Sequence, residues 1–239
     1  VPFNVTISTA STSVNFGASA QYRRLRGTLT ISASTTFALS TAAGGDLQVG
    51  GDFVNNGTFT HNNRAVTFNG TTAQALSGTL NGTTTTNRFP FLFISNTSAT
   101  VTANAAVNAA TTGSANSFTI DAGATYTQAT GALTVQGAAA TVTFLINGTY
   151  IHTSTTAASY PGAGSVSVSS TGTYVHNSAA GISTPLASIT FGTGSTMIYR
   201  GSSTLTPSAA FSGRTYHNLS FESTSGALSV SGTGASSLT

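Results

Sequence analysis

Apolar residues in this chain come in pairs split by one intervening residue, and the pairs recur. Val5-x-Ile7, Leu29-x-Ile31, Leu47-x-Val49, Val66-x-Phe68, Phe91-x-Phe93, Phe118-x-Ile120, Phe144-x-Ile146, Val166-x-Val168, Ile189-x-Phe191 and Leu219-x-Phe221 make ten copies. The residue between is usually Thr or Ser. A short run of small or polar residues then leads to a further apolar position: Val14, Phe37, Phe53, Leu76, Val101, Tyr126, Tyr150, Tyr174, Met197 and Leu228 in turn. Alternation with period two marks a strand with one buried face. From Phe68 onward the second apolar position recurs at 93, 120, 146, 168, 191 and 221.

One phrase fixes the period. Gly-Ala-Thr125-Tyr126, Gly-Thr149-Tyr150, Gly-Thr173-Tyr174 and Gly-Ser-Thr196-Met197 place their threonines 24, 24 and 23 residues apart. A fixed period in the range of about 20–50 residues means that each repeat is one unit stacking on its neighbours. Strand, small-residue corner and strand over such a period is one coil of a parallel β-helix. The pattern therefore predicts an all-β parallel β-solenoid of ten coils, with almost no α-helix, as a single domain over residues 1–239. Stacking at ~4.8 Å gives a rod of roughly 50 Å. Like residues form columns, so Tyr126, Tyr150 and Tyr174 should lie above one another. Asn-Gly at 56–57, 69–70, 81–82 and 147–148 supplies tight corners. An antiparallel sandwich or jelly roll also has many short strands, but it does not require one register held over successive units.

Composition agrees with strand and turn. Only 5% of residues are charged, against a usual figure near 25%, and all seven basic ones are Arg. Ser, Thr, Asn and Gly carry the polarity. The chain is 39% hydrophobic, enough to bury a core. A net charge of +3 from so few groups does not point to nucleic acid. Without cysteine there are no disulfides or thiolate metal sites. The opening Val1-Pro2-Phe3 has no basic or apolar leader character, which reads as a processed or recombinant mature segment. No apolar run approaches the ~18 residues of a helical membrane span.

Three stretches carry a resemblance. Phe68-Asn-Gly-Thr-Thr-Ala-Gln-Ala-Leu-Ser-Gly78, Tyr216-His-Asn-Leu-Ser-Phe-Glu-Ser-Thr-Ser-Gly226 and Gly51-Asp-Phe-Val-Asn-Asn-Gly-Thr-Phe59 resemble the repeats of large secreted, adhesin-like β-helical surface proteins of Bacteroidetes-type bacteria. The resemblance covers most of residues 28–235. It implies export, a surface location and an adhesive or structural role, and it brings no catalytic residues and no cofactor.

Few residues offer chemistry. The acids are Asp46, Asp52, Asp121 and Glu222, and β-helical polysaccharide-degrading enzymes need clustered carboxylates. Asp46 and Asp52 are near in sequence but do not recur, and they read as turn residues bonding local backbone. The histidines are His61, His152, His176 and His217. The 24-residue register aligns Gln128, His152, His176 and Tyr199 in one column, expected as a polar surface stripe. Two imidazoles without a carboxylate make a poor metal site. Tyr126, Tyr150, Tyr174, His152 and His176 are the candidates for surface binding, of glycans in particular. Arg23-Arg24-Leu25-Arg26 is the one charge run, a solvated loop or a cap over the first coils.

The ends carry a different expectation. Val5 and Ile7 at one end, and Leu228 and Val230 at the other, enter the repeat without a cap. Open strand edges template pairing with another chain. The reading is thus a non-enzymatic extracellular structural protein: a solenoid segment of a surface fibre, sheath or adhesin. Its partners would be further copies in a head-to-tail filament or a larger parent fibre. The alternative is a carbohydrate-binding module; a polysaccharide-degrading enzyme ranks behind both.

Overall fold

The computed structural model describes residues 3–110, 117–136, 142–160, 165–178, 189–200, 204–205, 215–222 and 229–230. Among these residues all regular structure is β, and each ladder between strands is parallel. The chain is a parallel β-solenoid. Its first turn runs through strands Val5–Ile7, Ser13–Asn15 and Arg23–Leu25, one on each of three faces. The next strand, Leu29–Ile31, returns beside the first, with Val5 opposite Leu29. Parallel strands need a long crossover, and here the crossover is the rest of the turn.

The first face is a ten-stranded sheet that runs from Val5–Ile7 to Asn218–Phe221 in chain order. The second face has eight strands, from Arg23–Leu25 to Ile189–Phe191. The third is broken into short groups, beginning with Ser13–Asn15, Thr36–Ala38 and Thr58–Thr60.

The two long sheets together complete about seven turns at a period near 24 residues, where the apolar pairs predict ten coils; the first sheet alone continues to ten strands. The pairs count one turn twice because they mix two faces. Leu29–Ile31 lies on the first face and Leu47–Val49 on the second, within the same turn.

Inward side chains form continuous columns. On the second face Leu47, Val66, Leu92, Phe118, Phe144, Val166 and Ile189 follow one another, all buried. Phe118 and Phe144 stack at 4.5 Å with rings 2° from parallel. Two positions on, Val49, Phe68, Ile94, Ile120, Ile146 and Val168 make a second column. One expected core pair is turned round. Ile94, rather than Phe93, lies opposite Phe68 and Ile120, so Phe91 and Phe93 face outward. A slip of one residue moves every side chain to the other face. Four successive apolar residues, Phe91 to Ile94, leave the alternation itself undecided; their neighbours choose.

The first-face core also shifts. Near the start its large apolar residues are Leu29, Phe53 and Leu76, with Ile7 and Ile31 beside them. Further on that column becomes Gln128, His152, His176 and Tyr199. The apolar load moves two residues earlier, to Val101, Tyr126, Tyr150, Tyr174 and Met197. Buried amides make the junction. Gln74 donates to the Val49 and Gly51 carbonyls and accepts from Gly70 N–H. Asn55 donates to the Thr79 carbonyl and to Asn87 Oδ1. Each amide thus meets backbone that a regular rung would have paired.

Candidate functional site

The Tyr and His columns come directly from the corners that precede them. Gly123, with φ +80°, turns the chain into strand Thr125–Gln128. Strands Thr149–His152 and Thr173–His176 continue it residue for residue. In each strand the alternation sends Tyr and His or Gln inward and Thr outward. The tyrosine rings stack at 6.0 Å and 5.3 Å. The rings of His152 and His176 stack at 5.5 Å, and Tyr199 continues the pile at 5.5 Å.

These columns are in the core. Tyr126, Tyr150 and Tyr174 have no exposed surface, and His152 is 1% exposed. Gln128 and His176 are equally buried. The expected surface stripe, and the five candidates for surface binding, are corrected on this point. The register was right, but the inward-facing member of each pair is the polar aromatic one. Polar groups in such a place need partners. They find them two residues along the same strand: Tyr126 Oη donates to Gln128 Oε1 at 2.6 Å, and the Tyr150 and Tyr174 hydroxyls reach the Nδ1 atoms of His152 and His176 at 3.2 Å and 3.4 Å.

Burial sets the charge state. It pushes the three phenols well above their usual range, so they stay neutral donors. It pulls His152 down to about 4, and neighbouring His176 adds to that. Nε2 of His152 has no partner in hydrogen-bonding geometry, although the Thr156 backbone tempers the shift. His61 is lowered by burial as well, against the hydrogen bond to the Thr84 backbone.

The acids lie on separate turns and join neighbouring turns together. Asp46 Oδ1 accepts from the N–H of Ala65, and Asp52 Oδ1 from that of Ala75. These bonds reach the next coil rather than the local turn, which corrects that part of the expectation. Asp121 accepts from the Ser95 hydroxyl, one rung back. Glu222 pairs with Arg200 at 2.7 Å on the surface. Among the described residues no three of His, Cys, Asp and Glu gather into a metal-binding group. His217 is exposed.

One edge of the described first face is the strand Val5–Ile7. Val5 N–H donates to Thr28, and the Ile7 carbonyl accepts from Ser32, so both face the next rung. Thr6, between them, turns its backbone groups to the outer edge. No described strand pairs with that edge. Beside it the core opens into a cavity of about 170 Å³ lined by Val5, Val14, Phe16, Leu25 and Phe37, with Arg23 and Arg24. Arg23 stands opposite Leu47, at a core register, with its guanidinium 5.4 Å from the Phe16 ring. Of the other end, Leu228 lies outside the described residues. Val230 pairs with Leu205 in a short parallel ladder.

Sequence reasoning missed two outward aromatics on the second face, Tyr22 and Phe93. The signal for Phe93 was the column through Phe68 and Ile120, which only Ile94 can continue with its own neighbours aligned. Comparison with protein-family models, with curated proteins and with solved structures finds no match.

Proposed function

We propose that this chain is a non-enzymatic structural β-solenoid, a segment of an extracellular surface fibre, sheath or adhesin stalk, that stacks end to end with further copies of itself. The observation that carries the proposal is the strand edge at Val5–Ile7, which no described strand covers. An unpaired strand edge at Thr6 lies beside an apolar cavity in a core whose columns otherwise run from rung to rung. A second copy fits this edge because every described rung of the first face is a parallel strand, from Val5–Ile7 to Asn218–Phe221. Stacked copies would continue that one parallel sheet. A surface that meets a different surface of the same chain builds an open filament. Extracellular placement rests on the composition and the resemblance described above.

The test is association against concentration, followed by sedimentation velocity and electron microscopy. Rods should lengthen as concentration rises. Thr6→Pro, which removes the outward N–H without touching a bond to the next rung, should shorten them. So should Val14→Lys, which places a charge in the end cavity. Rods of one copy's length at every concentration would overturn end-to-end stacking.

A further inference from the structure

The second face carries a groove that the stacking function does not use. Its outward residues, rung by rung, are Arg24, Gln48, Thr67, Phe93, Thr119, Leu145, Ser167 and Thr190. Phe93 interrupts a stripe of small and polar residues with a large ring. Tyr22, just before the first strand of this face, is 62% exposed, one of two large apolar side chains so exposed among the described residues. Between these two rings lies an open groove of about 360 Å³, lined by Asp46, Gln48, Thr67 and Ser95 with Gly44 and Ala65.

We propose that this groove binds a neutral oligosaccharide. The two rings provide flat apolar faces that can lie against the C–H face of a pyranose. The strands they adjoin are three rungs apart, a span of about 14 Å, which suits an extended chain of sugar rings rather than one compact ligand. Between the rings sit a carboxylate, an amide and two hydroxyls, which together accept from and donate to sugar hydroxyls. Asp46 Oδ1 is held by Ala65 N–H, so the carboxylate is fixed in place with its second oxygen left for a ligand. Ser95 is fixed in the same way by Asp121. A parallel sheet beneath them keeps the arrangement formed before binding, which reduces the ordering cost.

The charge pattern selects a neutral glycan. Asp46 lines the groove and Asp121 holds one of its walls, so an acidic sugar meets like charge. The arginines of this end lie outside the groove's lining: Arg24 and Arg26 line a separate groove of about 350 Å³ with Phe3 and Asn69, and Arg23 and Arg24 line the end cavity. An anionic polymer would go there. An apolar peptide anchor needs an enclosed apolar hole, and this groove is open and lined between its rings by Asp46, Gln48, Thr67 and Ser95. The inference does not depend on whether the rods stack.

Isothermal titration calorimetry with hexasaccharides of glucose, xylose, mannose and N-acetylglucosamine, and with polygalacturonate, tests this. At least one neutral hexasaccharide should bind. Tyr22→Ala and Phe93→Thr should each weaken it at least tenfold, and Arg26→Ala should leave it unchanged. Phe93→Thr installs the residue found on both neighbouring rungs, so the fold is kept even if Tyr22→Ala disturbs it; circular dichroism checks each. No binding of any neutral hexasaccharide at millimolar concentration overturns the proposal. So does binding that survives both aromatic substitutions, or binding of polygalacturonate alone that Arg26→Ala removes.

Discussion

His152 shows what burial does to a single side chain in this fold. Its ring lies between Gln128 and His176 along the column, and Tyr150, kept neutral by burial, reaches its Nδ1. Its folded pKa is near 4, against an unfolded value near 6.5. The unfolded chain therefore binds the extra proton first. Stability is whole above pH 6.5, is lost as pH falls through the window between the two values, and levels off below about 4. One such group changes stability by up to about 1.4 kcal/mol per pH unit within the window. His61 acts in the same direction. Thermal melts should thus be flat above pH 7 and fall steeply from pH 6 to pH 4. His152→Gln, which repeats the Gln128 solution one rung on, should flatten that slope. An unchanged slope in the variant would show that His152 is not the group responsible.

At the scale of the element, strands of two to five residues are held by their corners and by close stacking. Glycine is required where both demands meet. Gly78 has φ +88°, and a Cβ there would stand 2.1 Å from the Asn55 carbonyl oxygen on the adjoining rung. Neither strain nor clash can be relieved without parting two rungs. Gly78→Ala should cost more than the about 1–3 kcal/mol of backbone strain alone, read as a lowered urea midpoint. Gly17, with φ +66°, has nothing within 4 Å of such a Cβ. Gly17→Asn should therefore cost a fraction of that, since Asn tolerates the left-handed region. Equal effects at the two sites would contradict the close approach at Gly78.

For the whole molecule, contacts run between neighbouring turns, so stability is a sum over turn-to-turn interfaces. An end turn has one such interface and an inner turn two. Amide exchange should then be slowest in the inner rungs, Gln74–Gly78 through Thr149–His152, and fastest at Val5–Ile7. If copies stack end to end, protection of Val5–Ile7 should rise with protein concentration while the inner rungs stay unchanged. Protection at Val5–Ile7 equal to that of the inner rungs in dilute solution would argue against stacking by independent turns.

The sequence alone determined the period, the parallel solenoid and the partners within the Tyr126 column. Thr125, Thr149 and Thr173 fix a register that only stacked coils satisfy, and Tyr126, Tyr150 and Tyr174 do lie above one another. It could not count the turns, because an apolar pair looks the same on the first face as on the second. Nor could it decide which face of a strand is inside. Thr149, Tyr150, Ile151 and His152 offer two half-apolar alternations, Thr with Ile or Tyr with His, and the tertiary structure buried the second. The physical reason is shared bonding: a tyrosine and an imidazole two residues apart satisfy each other in the core, and their rings stack on the next rung. The same kind of choice placed Ile94 inside and Phe93 outside. Tyr22, Asp46 and Phe93 come from three different turns, so only the stacking of those turns makes them one groove.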